Sequence, residues 1–216
     1  MSDKEFVDFL RKVMESATVY TTPGSLHYYF MDWRHVWHMT EAAREIYGSP
    51  TPKQMCVWNK DTMALGSFYR SKHELVFIFK NGEGKHTSHL ELKDRVRSNV
   101  WDYPSANSGA NKEKSILKDH PTPKPVQLVA DAILDSTNKG DIVIDFFLGP
   151  GTTLIACQAT ERKCYATEIE PRYVQQSLIR YINFCDKNGI QVKFNHENGS
   201  LTINSFTDAI SKKQPV

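Results

Sequence analysis

The stretch that most constrains the fold is Asp141–Cys157, DIVIDFFLGPGTTLIAC, in which an apolar run meets a glycine turn and a second apolar run. Residues 142–144 show no polar alternation, which is typical of a parallel strand covered on both faces. Gly149 and Gly151 remove side chains where the backbone turns, so a ligand can come close. Thr152–Thr153 then begin a helix whose free amides can bind a ligand oxygen. The pattern predicts a cradle for a small molecule.

Two common phosphate-binding motifs do not match this turn. A P-loop requires a lysine directly after its second glycine, but Thr152 follows Gly151. The dinucleotide fingerprint requires a third glycine three residues after the second, and Leu154 occupies that position. Short glycine motifs also occur in strand–turn–helix units that are packed only for stability, so the turn alone leaves that alternative open.

Two acidic residues at the ends of apolar runs indicate what the cradle binds. Asp145 lies in the turn segment, and Glu168 ends the next run 23 residues later, a spacing that suits one strand–helix–strand unit. An acid at the tip of the second strand can accept hydrogen bonds from two ribose hydroxyls. An acid near the glycine turn disfavours a phosphate and suits a cation or an amine. S-adenosylmethionine, a nucleoside that carries an amino acid and a sulfonium charge, matches both acids.

A proline-rich segment precedes the cradle in His120–Leu134, HPTPKPVQLVADAIL. Its prolines fix an entry loop before a predicted helix whose apolar residues share one face. Thr122 and Lys124 supply a hydroxyl and a cation just before this helix begins. The cation is suited to hold the carboxylate of the methionine part of the cofactor.

These motifs together resemble the cofactor half of the DNA amino-methyltransferases, which methylate N-6 of adenine or N-4 of cytosine. The matching pieces follow the family's order and spacing and are His120–Pro125, Gly140–Asp141, Asp145–Thr153 and Glu168–Pro171. Their position at the C-terminal end is similar to the permuted beta group. The resemblance implies an α/β fold with a mostly parallel sheet, helices on both faces, and N-terminal strands missing from this chain.

The resemblance also assigns roles to residues of the cradle. It implies that Thr122 and Lys124 hold the cofactor carboxylate and that Glu168 holds the ribose. The methionine end would be held by a set of turn residues, namely Asp145, Phe147, Gly149, Gly151, Thr152 and Thr153. Two residues depart from the family pattern, because Phe146 stands in place of proline and Pro150 in place of serine. Pro150 lacks an N–H, so we expect a stiffer turn and weaker cofactor binding.

The N-terminal half is similar to the second half of the family's catalytic region, with the closest likeness to methylases found beside ParB-like nuclease domains. The matching stretches are Gly24–Trp37, Met55–Asp61 and Gly66–Gly82. We therefore expect one methyltransferase-like domain over residues 1–216. Its parts would be catalytic at 1–80, DNA-contacting at 81–119, cofactor-binding at 120–186 and a tail at 187–216.

The family's catalytic tetrapeptide, Asp/Asn/Ser-Pro-Pro-aromatic, does not occur in the 216 residues. In the family it accepts hydrogen bonds from the target amine and stacks on the flipped base. It belongs to a strand that lies between the strand of Asp145 and the strand of His27–Met31. The resemblance thus implies a truncated methylase that is inactive alone. The alternative is a non-catalytic DNA- or cofactor-binding remnant of a methylase.

The segment 81–119 is long, irregular and mixed in charge, and two interpretations of it stay open. It is either a solvated loop or the segment that contacts double-stranded DNA. The weak candidates for DNA contact share a cationic or aromatic side chain and are Tyr69, Arg70, Lys72, Arg95 and Arg97. The net charge of +2 is too small to argue for nucleic-acid binding by itself.

Composition and periodicity complete the expectations. The four cysteines form no Cys-x-x-Cys pair, which favours no metal site and a cytoplasmic, reducing setting. No apolar run approaches the ~20 residues of a membrane span. The missing strand favours pairing with a second copy or with a complementing N-terminal fragment. Periodicity predicts helices at 3–16, 35–47, 125–136, 152–160 and 171–186, and strands at 25–31, 55–59, 74–80, 142–147 and 164–168.

Overall fold

The computed structural model describes residues 1–65, 67–90, 95–105, 124–192, 194–196 and 199–201. These residues form two compact units. The first lies within Met1–Asn111 and Leu134–Asn138, and the second within Lys112–Ile133 and Lys139–Val216. Both units combine helices with strands, so the predicted α/β class is confirmed.

The first unit contains two helices that bury one face each. Helix α1, Asp3–Tyr20, begins at a capping box in which the side chains of Ser2 and Glu5 bond each other's backbone amides. Helix α2, Val36–Ile46, follows a 3-10 turn at Trp33–His35. Apolar side chains of both helices pack against the sheet of this unit and form its core.

A four-stranded sheet makes up the rest of the first unit. Its strands are β1, Leu26–Met31; β2, Gln54–Asn59; β3, His73–Lys80; and β4, Val100–Asp102. They lie in the order β1-β3-β2-β4, with β3 antiparallel to both β1 and β2 and with β4 parallel to β2. Residues 75–79 of β3 are buried, since β3 is an inner strand and its Leu75, Phe77 and Phe79 pack in one core with residues of α1 and α2. The sequence did not predict β4, which has three residues and depends on pairing with the distant β2.

A buried polar network lies beside this core. The Nδ1 atom of His27 is 2.6 Å from the hydroxyl of Tyr47, and its Nε2 atom is 2.8 Å from the hydroxyl of Thr21. The Tyr47 hydroxyl also lies 2.8 Å from that of Tyr29. Burial lowers the pKa of His27 to about 4, so its ring is neutral at neutral pH.

The second unit is built around a strand–helix–strand motif. Its helices are α3, Val126–Ser136, whose last residues belong to the first unit; α4, Thr152–Ala159; and α5, Pro171–Lys187. Strand β5, Ile142–Asp145, is parallel to β6, Lys163–Ala166, as the predicted strand–helix–strand unit requires. Two short strands follow α5, with β7, Phe194–His196, antiparallel to β8, Gly199–Leu201.

The expectation that β5 is covered on both faces is wrong for the described residues. Ile142 is 51% exposed, and residues 143–145 are half-buried. Side chains alternate along a strand, so Val143 packs with Ala156 of α4 while its neighbours point the other way. One face of β5 is therefore covered by helices, and the other stays partly open.

In the four-stranded sheet and the β5–β6 sheet, four strands lie at sheet edges and have one strand partner each among the described residues. β1 pairs with β3 and β4 with β2, while β5 and β6 pair with each other. In these two sheets, the pairs β2–β4 and β5–β6 are parallel, and the pairs β1–β3 and β2–β3 are antiparallel. No helix in the described ranges has both the length and the apolar composition that a membrane crossing needs.

Candidate cofactor site

The glycine turn after β5 is held in a left-handed backbone conformation. Gly149 has φ of 54° and Gly151 has φ of 85°, values that side-chain-bearing residues adopt only with strain. The amide of Leu148 donates to the carbonyl of Thr167 at 3.1 Å, and the amide of Thr167 donates to the carbonyl of Asp145 at 3.0 Å. The turn is thus tied to the end of β6, as the motif spacing predicted.

The carboxylate of Asp145 links the end of β5 to the start of α4. Its Oδ1 atom accepts a hydrogen bond from the amide of Phe147 at 2.9 Å. Its Oδ2 atom accepts one from the hydroxyl of Thr153 at 2.6 Å. Each oxygen keeps further acceptor capacity, so the group can bind a cationic ligand while it fixes the turn.

The carboxylate of Glu168 reaches the same turn from the end of β6. Its Oε2 atom accepts a hydrogen bond from the amide of Gly149 at 2.8 Å, and its Oε1 atom accepts one from the amide of Glu170 at 2.9 Å. The structure therefore brings the two acids that the sequence singled out to one turn. Two fixed carboxylate oxygens with spare lone pairs suit a pair of neighbouring hydroxyls.

The other predicted residues occupy different positions around the turn. Phe147 is 59% exposed and can cover part of a ligand. Thr152 is buried, and its hydroxyl donates to the backbone carbonyl of Lys124 at 3.2 Å, which brings the entry segment to the start of α4. Thr122 lies outside the described residues.

Sequence reasoning missed two residues of α5 that contact the turn. Ser177 and Arg180 are 1% and 3% exposed, and a guanidinium nitrogen of Arg180 donates to the carbonyl of Pro150. The available signal was the position of Arg180 in the helical row Tyr173, Ser177, Arg180 and Phe184, where an apolar residue is expected.

Two thiols lie in the core of this unit. Cys157 of α4 is buried, and Cys164 of β6 packs against the same cluster. The hydrogen bond with Cys164, together with burial, raises the pKa of the Cys157 thiol. Cys157 is therefore protonated at neutral pH and serves as a packing residue.

Three candidate DNA contacts lie on the connection between β2 and β3. Tyr69 is 91% exposed, and its ring centroid lies 4.5 Å from that of Phe68. The Nε of Arg70 donates to the carbonyl of Ala64 at 2.7 Å, and the carbonyl of Lys72 accepts from the amide of Lys60 at 2.8 Å. These bonds shape a connection that presents aromatic and cationic groups to solvent.

Arg95 and Arg97 are placed differently, because both pair with the buried carboxylate of Asp135 in the first unit. Arg97 also donates to the hydroxyl of Tyr103 at 2.8 Å and lies 5.0 Å from the centre of the Trp101 ring. Arg97, Trp101 and Tyr103 border a cavity of about 250 Å³. A phosphate would have to compete with Asp135 for either arginine.

The comparison with protein families shows which family this chain belongs to. A family model described as DNA methylase matches residues 1–179 of this chain. The chain belongs to the DNA methylase family. The family expectation drawn from the cofactor motifs is confirmed, whereas the proposed subgroup and the missing N-terminal strand stay predictions.

Individual relatives of this chain agree with the family assignment. The type II methyltransferase M.HpaI of Haemophilus parainfluenzae is 24% identical over 193 residues, which cover 82% of this chain and 59% of that protein. The orphan methyltransferase M.BamHII of Bacillus amyloliquefaciens is 31% identical over 54% of this chain and 45% of its own length. The chain spans about half the length of the curated relatives it matches.

Solved structures show the same fold. The cytosine-N4-specific PvuII DNA methyltransferase superposes with a TM-score of 0.72 at 17% identity, over 98% of this chain and 78% of that one. The S-adenosylmethionine complex of M1.HpyAVI superposes with a TM-score of 0.67 at 24% identity, over 83% and 84%. The predicted methyltransferase-like fold is confirmed.

Proposed function

We propose that this chain is the cofactor-binding part of an S-adenosylmethionine-dependent DNA methyltransferase that acts on N-6 of adenine or N-4 of cytosine. The observation that carries the proposal is the meeting of Asp145 and Glu168 at one glycine turn in a member of the DNA methylase family. When bound, S-adenosylmethionine supplies an activated methyl group.

The residues of the turn have distinct proposed roles. Asp145 attracts the positive charge of the methionine end, and its bond from Thr153 keeps the carboxylate in place. Glu168 accepts the two ribose hydroxyls on oxygens that the amides of Gly149 and Glu170 already orient. Lys124, together with Thr122, holds the carboxylate. The rest of the wall of the proposed cofactor site consists of Phe147, Gly149, Gly151 and Thr152.

In the proposed reaction, bound S-adenosylmethionine would supply its methyl group in line to the target amine nitrogen, S-adenosylhomocysteine would leave, and the displaced amine proton would pass to solvent. The protein contributes mainly by positioning, which supplies about 7–11 kcal/mol in a two-substrate reaction. The 216 residues contain no Pro-Pro-aromatic sequence to hold the amine. We propose that this group comes from another segment.

The unpaired edges favour such a segment. β5 and β1 each leave one edge without a partner among the described residues. An extended segment that carries the tetrapeptide satisfies the backbone groups of an open edge by strand addition. That segment belongs to a complementing fragment, because a second copy of these 216 residues lacks the tetrapeptide as well.

We propose that DNA contacts the connection between β2 and β3. Tyr69 offers a face for a base, and Arg70 and Lys72 offer charges for phosphates. A cytoplasmic location fits this substrate and the four free thiols, Cys56, Cys157, Cys164 and Cys185.

Methyl transfer tests the proposal. Tritiated S-adenosylmethionine and mixed-sequence DNA are incubated with the chain alone and with the chain joined to a segment that carries Asp-Pro-Pro-Tyr, and the labelled nucleoside is identified. We expect label in N-6-methyladenine or N-4-methylcytosine from the extended protein and essentially none from the chain alone. Label on a base carbon, or transfer by the chain alone, would contradict the proposal.

A further inference from the structure

Helix α5 reaches the glycine turn with a buried cation. Arg180 is 3% exposed, and one of its guanidinium nitrogens donates to the carbonyl of Pro150. Pro150 has no N–H, so its carbonyl is the backbone group that can anchor it. Burying a guanidinium is costly unless it is hydrogen-bonded, and hydrogen bonds from charged donors are the strong ones.

Ser177 lies on α5 three residues before Arg180 and limits how closely the glycine turn can approach the helix. Ser177 is 1% exposed, and its hydroxyl donates to the carbonyl of Val174 in its own helix at 2.8 Å. A Cβ atom added to Gly151 would lie 2.6 Å from the Cβ of Ser177 and 2.9 Å from its Cα. The contact therefore requires glycine on the turn and leaves little room for a larger residue than serine on the helix.

The anchored carbonyl lies between two residues that shape the ligand site. Gly149, one residue before Pro150, donates its amide to Glu168 at 2.8 Å. Gly151, one residue after Pro150, is the N-cap of α4, and its carbonyl accepts a hydrogen bond from the amide of Ile155 at 3.2 Å. A shift of the Pro150 carbonyl must therefore move both the bond to Glu168 and the start of the helix.

We infer that Arg180 is a positioning residue, which holds the glycine turn in the shape that binds the cofactor, and that Ser177 sets the distance between α5 and Gly151. This inference rests on the proposed cofactor site. Arg180 acts through the Pro150 carbonyl and touches no reacting atom. Its effect is therefore on cofactor affinity as well as on folding.

The first test is a titration of the whole chain with S-adenosylmethionine, well below the unfolding temperature. Arg180→Gln should weaken binding by up to about tenfold, because the turn then spends part of its time in shapes that do not bind the cofactor and the apparent affinity falls by that fraction. Arg180→Lys, which keeps the charge but not the fork of donors, should fall between that variant and the wild type. Lys187→Gln removes a charge from the exposed end of α5 and should bind like the wild type.

The second test needs no ligand. Backbone NMR signals of Gly149 and Gly151 should shift, and their amides should exchange faster, in Arg180→Gln but not in Lys187→Gln. If the wild type binds no S-adenosylmethionine while these signals shift, the proposed function fails and the positioning role stands. A lower unfolding midpoint with unchanged affinity and unshifted glycine signals overturns the inference. If Arg180→Gln does not fold, Arg180→Lys carries both measurements with the same expectations.

Discussion

The glycine turn of the second unit and the β2–β3 connection of the first unit are both proposed contact sites, but they are built differently. At the turn, the carboxylates of Asp145 and Glu168 each accept two hydrogen bonds before any ligand arrives. On the connection, Tyr69 is 91% exposed. A small polar ligand needs fixed donors and acceptors, whereas DNA is bound by many weak contacts that order on binding.

The largest effect is expected from breaking the tight packing of the turn. Gly151→Ala places a methyl group 2.6 Å from Ser177 on a residue with φ of 85°. We expect a loss of about 2–5 kcal/mol in the stability of the second unit, the sum of left-handed strain and overpacking.

A matched glycine separates the two causes of that loss. Gly140 has the same φ of 85°, but a Cβ there meets nothing within 4 Å. Gly140→Ala should therefore cost only the strain of about 1–2 kcal/mol. Urea unfolding followed by far-ultraviolet circular dichroism and by amide exchange in α4 compares the variants. Equal losses would show that Ser177 does not crowd the turn.

The motif at the turn predicted this region well because its constraints are local. Asp145, Glu168 and the strand–helix–strand spacing all follow from a short stretch of chain. The helices and strands were predicted to within a few residues for the same reason. Arg180 was missed because a cation in an amphipathic helix usually faces solvent, and only the fold shows that this one is buried. Strand β4 was missed because its pairing with β2 is long-range.

The first unit offers a pH test of its buried network. The pKa of His27 is lowered by burial to about 4, so folding favours the neutral ring. The neutral His27 ring therefore contributes its full stabilisation of the first unit above about pH 6.5, the pKa of histidine in the unfolded chain. This stabilisation is lost as the pH falls from about 6.5 through about 4, by up to about 3 kcal/mol.

Tryptophan fluorescence isolates this effect, because Trp33, Trp37, Trp58 and Trp101 all lie in the first unit. Urea unfolding at pH 7, 5.5 and 4.5 should show the loss in the wild type. His27→Asn should flatten that pH dependence. An unchanged slope in the variant would place the titrating group elsewhere.

The smallest effect is expected on the exposed connection. Arg70→Gln or Lys72→Gln should weaken DNA binding modestly, without loss of stability, and should lower the salt slope by about 1 per phosphate contact. Arg97→Gln should instead lower the stability of the first unit, because it takes one partner from the buried Asp135. Gel shifts in rising salt distinguish Arg70, a proposed phosphate contact, from Arg97, which pairs with Asp135. A DNA affinity that does not depend on salt would contradict the assignment of phosphate contacts.

The most direct test of the cofactor site is a calorimetric titration of S-adenosylmethionine into the wild type, Glu168→Ala and the control Asp186→Ala on the exposed end of α5. Loss of the charged acceptor at residue 168 should cost about 1.5–3 kcal/mol, which is a roughly 10- to 150-fold weaker affinity. The Asp186→Ala control should match the wild type. Equal affinities for all three folded proteins would mean that the cofactor is not held at the glycine turn and would contradict the account.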